Sequence, residues 1–286
     1  MIYNLLKKNL FIFRKIFLIL VLKSMLSPTI VFADIRPERI VSISPSLTEI
    51  LFAIGSGSQV VAVDNYSNYP PEVPTTSLSA YEPNMEAIAS FDPDLVILSY
   101  DIGDLVTGLN SIGVETMLLP AAEDFEGILS QVKDLGLRTG NHDQAHELAR
   151  KMKSEMEDLI NKMANRESIR VYHEIDENYY SASSNSFIGS IYGLLNFTNI
   201  ADQADEDGYG YPKLSPEYIL SSNPELIILP GKDADYVEKL KKRPGWSAID
   251  AVKKENFLLL DPDIGSRWGP RVIDFAKSVV NQANMN

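Results

Sequence analysis

Two stretches decide the reading of this chain: EPNMEAIASFDPDLVIL, Glu82 to Leu98, and SPEYILSSNPELIIL, Ser215 to Leu229. Each runs from a Pro and a Glu through a short amphipathic helix pattern. Each then passes Asp-Pro-Asp or Asn-Pro-Glu and enters a run of Leu, Val and Ile. A helix leading directly into a fully apolar strand is the unit of parallel α/β construction, in which strands are covered on both faces. The same unit occurring twice, with Glu86 and Glu217 at matching places, predicts two lobes built alike.

The surrounding pattern agrees. Ile40 to Ile43 reads as a strand, and Leu47, Ile50, Leu51 and Ile54 recur at helical spacing after it. Ser46 with Glu49 three residues on has the spacing of a capping box. Val60 to Val63 is a strand, Gly103 to Ile112 a polar helix, Val114 to Leu119 a strand and Asp124 to Gly140 a helix. From Asp143 to Asn165 there is neither Gly nor Pro, and helix formers dominate. Some 23 residues at 1.5 Å each predict a rod of roughly 35 Å. Beyond it, strands are expected at Ile169–Ile175, Glu225–Pro230 and Asn256–Asp261. Helices are expected at Ser186–Phe197, Ser215–Ser222, Asp233–Ile249 and Pro270–Ala283. The expected architecture is two Rossmann-like α/β lobes, residues 34–140 and 166–286, joined by one long helix over 141–165, with a ligand cleft between the lobes.

The first 33 residues stand apart. They hold five of the 26 Lys and Arg and no acid, with the apolar run Ile16 to Leu22 behind the basic start and Val31-Phe32-Ala33 at the end. This is the layout of a secretory signal peptide, expected to be cleaved near Asp34 and to direct the chain to a periplasm; an uncleaved membrane anchor is the other reading, against which the apolar core is short and interrupted by Lys23. The remaining 21 basic and 39 acidic residues leave a net charge of −18. A chain so acidic repels phosphates, which argues against nucleic acid as a partner. With no cysteine in the sequence, disulfides, thiolate metal sites, thiol nucleophiles and lipid attachment at cysteine are excluded.

RIVSISPSLTEILFAIG, VVAVDNYSNYPPEV, EPNMEAIASFDPDLVIL and the long helix after LGLRTG together resemble the helical-backbone (class III) substrate-binding proteins of ABC importers. NYSNYPPEV most resembles the cobalamin-binding branch. The resemblance implies a monomer that carries cobalamin or a related corrinoid to the membrane permease subunits of an importer. It also implies that Glu86 and Glu217, one on each lobe, dock into arginine pockets of those subunits. Charge-assisted, bidentate pairing suits that task. An ordinary role for both is as acids in a first helical turn. In the cobalamin branch, aromatics at the positions of Tyr66 and Tyr81 line the corrin pocket, and the loop matching Asp263 to Arg267 adds polar contacts. Tyr81 stands where that branch usually has Trp, which keeps a haem or ferric-siderophore ligand open.

From the residues themselves, the ligand contacts are expected at Tyr66, Tyr81, Asp263, Arg267 and Trp268. Tyr69, Tyr179, Tyr180, Tyr209, Tyr211 and His173 are further candidates beside packing roles. Arg267 is expected to meet a propionate, a phosphate or an amide oxygen. His142 and His146 are spaced i, i+4 but lack a third ligand, so no metal site is expected. No catalytic motif is present, and Asp92 and Asp94 read as helix-to-strand punctuation. The protein is therefore expected to bind and release rather than catalyse, without a resident cofactor. A periplasmic enzyme or interaction protein on the same scaffold is the reading of another class.

Overall fold

The computed structural model describes residues 36–285. The signal segment expected at 1–33 lies outside the described residues.

The first lobe is built on a parallel sheet of five strands: β1 (Ile40–Ile43), β2 (Val60–Asp64), β3 (Thr75–Leu78), β4 (Leu95–Leu98) and β5 (Glu115–Leu118), in the order β3-β2-β1-β4-β5. Its helices are α1 (Pro45–Ala53), α2 (Met85–Ala89), α3 (Leu105–Ser111) and α4 (Phe125–Thr139). Helix α5, His142–Met163, follows. The second sheet holds β6 (Ile169–His173), β7 (Phe197–Asn199), β8 (Leu226–Pro230) and β9 (Phe257–Leu260), parallel in the order β7-β6-β8-β9. With it go α6 (Phe187–Leu194), α7 (Pro216–Ser222), α8 (Ala234–Lys241), α9 (Asp250–Lys253) and α10 (Val272–Asn284).

The repeated stretches occupy equivalent places. In each sheet, the strand after the repeated helix pairs with the lobe's first strand: β4 with β1, β8 with β6. Both helices are capped alike. The Asn84 side chain accepts from Ala87 N at 2.8 Å, and Ser215 from Tyr218 N at 3.1 Å. Both helices run out into a left-handed residue, Asp92 (φ 50°) and Asn223 (φ 47°), ahead of Pro93 and Pro224. The acids that come next reach the neighbouring strand. Arg39 N donates to Asp94 at 3.2 Å, and Arg170 N donates to Glu225 at 3.1 Å. The side chains of the same arginines complete the match: Arg39 Nε donates to the Asp92 carbonyl at 2.8 Å and Arg170 Nε to the Asn223 carbonyl at 2.9 Å. These acids tie helix end to strand start, which is the punctuation role expected of Asp92 and Asp94.

Side chains alternate across each sheet, as strand geometry requires. Leu95 and Ile97 of β4, and Leu226 and Ile228 of β8, face one shared core, whereas Val96 and Leu98, and Ile227 and Leu229, face separate outer cores of their own lobes. Helix α5 lays Ala145, Ala149, Met152, Met156, Leu159 and Met163 into the shared core, a stripe recurring every three or four residues. Its packing against α4 is close. A Cβ on Gly136 would lie 2.2 Å from that of Ala145, so only glycine admits this approach.

Two strands go beyond the sequence reading and two expectations need correction. The strands β3 and β7 were not legible as strands: β3 is a partly exposed Thr-Thr-Ser-Leu edge, and β7 has three residues. The helix expected over Asp233–Ile249 ends at Lys241, because Pro244 and Gly245 (φ 82°) turn the chain into a short 3-10 segment at Trp246–Ala248. Ser46 caps nothing. Ser44 is the N-cap residue with Pro45 following, and Glu49 is buried and paired elsewhere.

Candidate functional site between the two lobes

Parallel strands present their carboxyl ends on one side of a sheet, where ligands of open α/β folds bind. Exposed tyrosines gather there in both lobes. Tyr66 follows β2, Tyr81 follows β3 and Tyr100 follows β4, while Tyr180 follows β6, and Tyr209 and Tyr211 lie in the loop between β7 and α7. Six exposed aromatic side chains on one family of loops bring a large apolar area to water, with hydroxyls at its edge.

A cavity of about 550 Å³ joins the lobes at this level. Tyr100 and Ala121–Glu123 line it from the first lobe. His173, Ile175, Asn185–Ile188 and Tyr211 line it from the second, and Pro262, Gly265, Ser266 and Trp268 from the loop after β9. No Lys or Arg is among the lining residues, and Glu123 is the one acid. Trp268 buries its Nε1 without an acceptor among the described residues.

Tyr66 and Tyr81 stand edge to face with ring centroids 5.5 Å apart, and both side chains are exposed. They lie outside the cavity's lining. The Tyr66 turn is made by Asp64, whose carboxylate accepts from Tyr66 N at 2.8 Å and Ser67 Oγ at 2.6 Å.

Arg267 does not face the cavity. Its guanidinium is buried, donating to Glu49 at 2.8 Å, Asn68 Oδ1 at 2.9 Å and the Tyr66 carbonyl at 2.8 Å, and pairing with Asp263 at 2.9 Å. Asp263 in turn accepts from Asn68 Nδ2 at 2.9 Å. Both terminal nitrogens of Arg267 are engaged by the protein, so in place of the expected propionate, phosphate or amide oxygen they meet Glu49, Asn68, Tyr66 and Asp263, and hold the Tyr66 loop to the loop after β9. Asp263 serves the same clamp.

Tyr69 turns to Arg271, whose guanidinium lies 4.3 Å from its ring. Both border a second cavity of about 430 Å³ against α1, α5 and α10. Tyr179 packs on Trp246 and under Arg243, inside the second lobe. There, Arg243 donates to the fully buried Glu174 at 2.6 and 2.9 Å. His173 is 3% exposed, with Nδ1 2.6 Å from Tyr192 Oη, and burial pushes its pKa down to about 4. His142 and His146 are exposed, with ring centroids 4.3 Å apart and planes tilted by 51°, and no group of three His, Asp or Glu side chains placed to hold a metal occurs among the described residues. Glu86 and Glu217 are both exposed, at the second position of α2 and α7.

Sequence reasoning missed Tyr100 and the Glu49 network. Tyr100 had a signal: it stands two residues beyond its strand, as Tyr66 does. Glu49 had none, because its partners lie more than two hundred positions away.

The family model described as periplasmic binding protein matches residues 40–264. The chain belongs to the periplasmic binding protein family. It is 29% identical over 249 residues to an uncharacterized ABC transporter substrate-binding lipoprotein of Bacillus subtilis, covering 84% of this chain and 77% of that one. It is 24% identical over 261 residues to the vitamin B12-binding protein of Vibrio cholerae, covering 89% and 92%. Among solved structures, a possible iron-binding, periplasmic solute-binding protein of Staphylococcus epidermidis superposes with a TM-score of 0.75 at 28% identity, covering 87% of this chain and 99% of that one. The fold is also that of the haem-binding protein RhuT of Roseiflexus, with a TM-score of 0.73 at 22% identity over 86% and 99% of the chains. The Bacillus subtilis relative is named as the substrate-binding lipoprotein of an ABC transporter, and the two-lobed α/β fold expected from the sequence is the fold of the family.

Proposed function

We propose that this protein captures cobalamin, or a close corrinoid relative, in the inter-lobe cleft and delivers it to the permease subunits of an ABC importer. The observation that carries the ligand assignment is the lining of the cavity. It is mostly aromatic and apolar with a few uncharged polar side chains and Glu123, it holds no Lys or Arg, and the nearby Arg267 is engaged within the protein. Haem propionates and the carboxylates of many siderophores are anions that call for cations. A corrinoid presents a broad apolar face fringed by uncharged amides, which tyrosine rings and hydroxyls suit. The B12-binding relative supports the same ligand.

In this reading Tyr66, Tyr81 and Trp268 contact the ligand, while Asp263 and Arg267 hold their loops. Glu86 and Glu217 dock on the two permease subunits, 131 positions apart in the chain and equivalent in fold. No bond is made or broken in the ligand. The protein acts as a monomer, exported to the periplasm by residues 1–33.

A haem ligand is the second reading. The His173 ring at the cavity wall favours it. Side-by-side titrations of the exported form with cyanocobalamin and with haemin, followed by absorbance, separate the two. Saturable binding of cyanocobalamin in preference to haemin is expected. A shifted haem Soret band with no corrinoid binding would transfer the assignment to haem.

A further inference from the structure

We propose that His173 and Trp268 present two uncharged N–H donors from the cavity wall, and that these select a ligand bearing neutral acceptor oxygens, amide carbonyls in the corrinoid reading on which this rests.

The imidazole comes first. Tyr192 is fully buried, and its hydroxyl has one hydrogen-bond partner among the described residues, His173 Nδ1 at 2.6 Å. A phenol in a dry core needs an acceptor for its proton. Were Nδ1 to carry the ring proton, the hydroxyl proton would have none. Tyr192 Oη therefore donates to Nδ1, and the ring proton sits on Nε2. Burial keeps the ring uncharged at neutral pH. His173 lines the cavity, and its Nδ1 edge is turned to Tyr192 on α6, so the Nε2–H edge is the one left for a ligand.

Trp268 supplies the second donor. An indole nitrogen can only donate. Here it is buried, without an acceptor among the described residues, on a side chain that lines the same cavity. A buried donor without a partner is costly in every folded molecule until an acceptor arrives. The charge around the pair decides which acceptor. With no Lys or Arg in the lining and Glu123 as its acid, a carboxylate is repelled and an amide or hydroxyl oxygen is not.

The chain carries its own reference. It has two tryptophans, and Trp246 is wholly buried in the outer core of the second lobe. Nitrogen-15 spectra of the apoprotein should show His173 as the Nε2–H tautomer, and Tyr192→Phe should relax that preference. Acetamide, added as a small amide probe, should move the Trp268 indole resonance and leave that of Trp246 in place. His173→Phe and Trp268→Phe should each weaken cyanocobalamin binding about three- to tenfold. An Nδ1–H tautomer in the wild type, an acetamide titration that leaves Trp268 still, or wild-type affinity in both variants would overturn the proposal. If the wild type binds no cyanocobalamin, the corrinoid reading falls. The tautomer and acetamide measurements then decide the donor pair by themselves.

Discussion

Glu49 and Arg267 stand 218 positions apart and meet at 2.8 Å. The carboxylate, on α1 of the first lobe, also accepts from Arg271 at 2.9 and 2.5 Å. The Glu49 side chain is 1% exposed and that of Arg267 9%. One carboxylate thus bridges two guanidiniums, Arg267 buried and Arg271 half-buried, contributed by the segment that follows the last strand of the second lobe. Removing it strips Arg271 of its carboxylate partner and leaves Arg267 with Asp263 as its remaining one. Glu49→Ala is expected to lower unfolding stability by about 3–5 kcal/mol, as for other broken buried pairs. Urea denaturation checks it, and a loss under about 1 kcal/mol would show that the guanidiniums find other partners.

Arg267 serves three acceptors besides Glu49, two of them on the Tyr66 loop. A lysine ammonium cannot span them, because the planar fork is what reaches all of them at once. Arg267→Lys should therefore weaken ligand binding nearly as much as Arg267→Ala, with the two dissociation constants within about threefold of each other. Full rescue by lysine would mean that charge alone matters there.

The Tyr66 and Tyr81 rings form an edge-to-face pair. Each Tyr→Ala change is expected to weaken cyanocobalamin binding about tenfold, and a double-mutant cycle on stability should give a coupling of about 0.5–1.5 kcal/mol. Additive effects on both readouts would show two independent side chains.

Glu86 and Glu217 are exposed and leave the cleft to other residues. Glu86→Ala and Glu217→Ala should keep ligand affinity, with stability within about 0.5 kcal/mol of the wild type. Uptake in a reconstituted importer should fall for each and vanish for both together. Normal uptake by the double variant would reduce the repeat to shared folding history.

His173 makes stability depend on pH. In the unfolded chain it titrates near its ordinary value of 6.5, and in the folded protein burial lowers this to about 4. Between those values the unfolded state binds the extra proton. The contribution is therefore complete above pH 6.5 and is lost as pH falls toward 4, by about 3 kcal/mol at most. Denaturation midpoints across that range should fall with acid, and His173→Asn should flatten the slope. An unchanged slope in the variant would place the dependence on other groups.

Much of the fold was legible because it is written locally. The apolar runs of β4 and β8, the short helix pattern before each of them, and the uninterrupted helix formers of α5 each dictate their own structure. The edge strands β3 and β7 were not legible, since a short polar strand is stabilised by its neighbour rather than by its own pattern. The site was legible only in part. Tyr66 and Trp268 stood out as aromatics after expected strands and Tyr81 as one just ahead of a repeated helix. Arg267 read as a ligand contact because nothing in its own segment reveals that Glu49, Asn68 and the Tyr66 carbonyl surround it. Glu49 read as a helix cap for the same reason. Long-range ion pairs leave no local trace.

The most direct test of the central claim is a calorimetric titration with cyanocobalamin of the wild type and of Ser266→Trp, in which an indole fills the cavity from an exposed lining position. The account predicts one-to-one binding by the wild type and at least about tenfold weaker binding by the variant, at similar thermal stability. No heat from the wild type, or equal affinity in the filled variant, would contradict it.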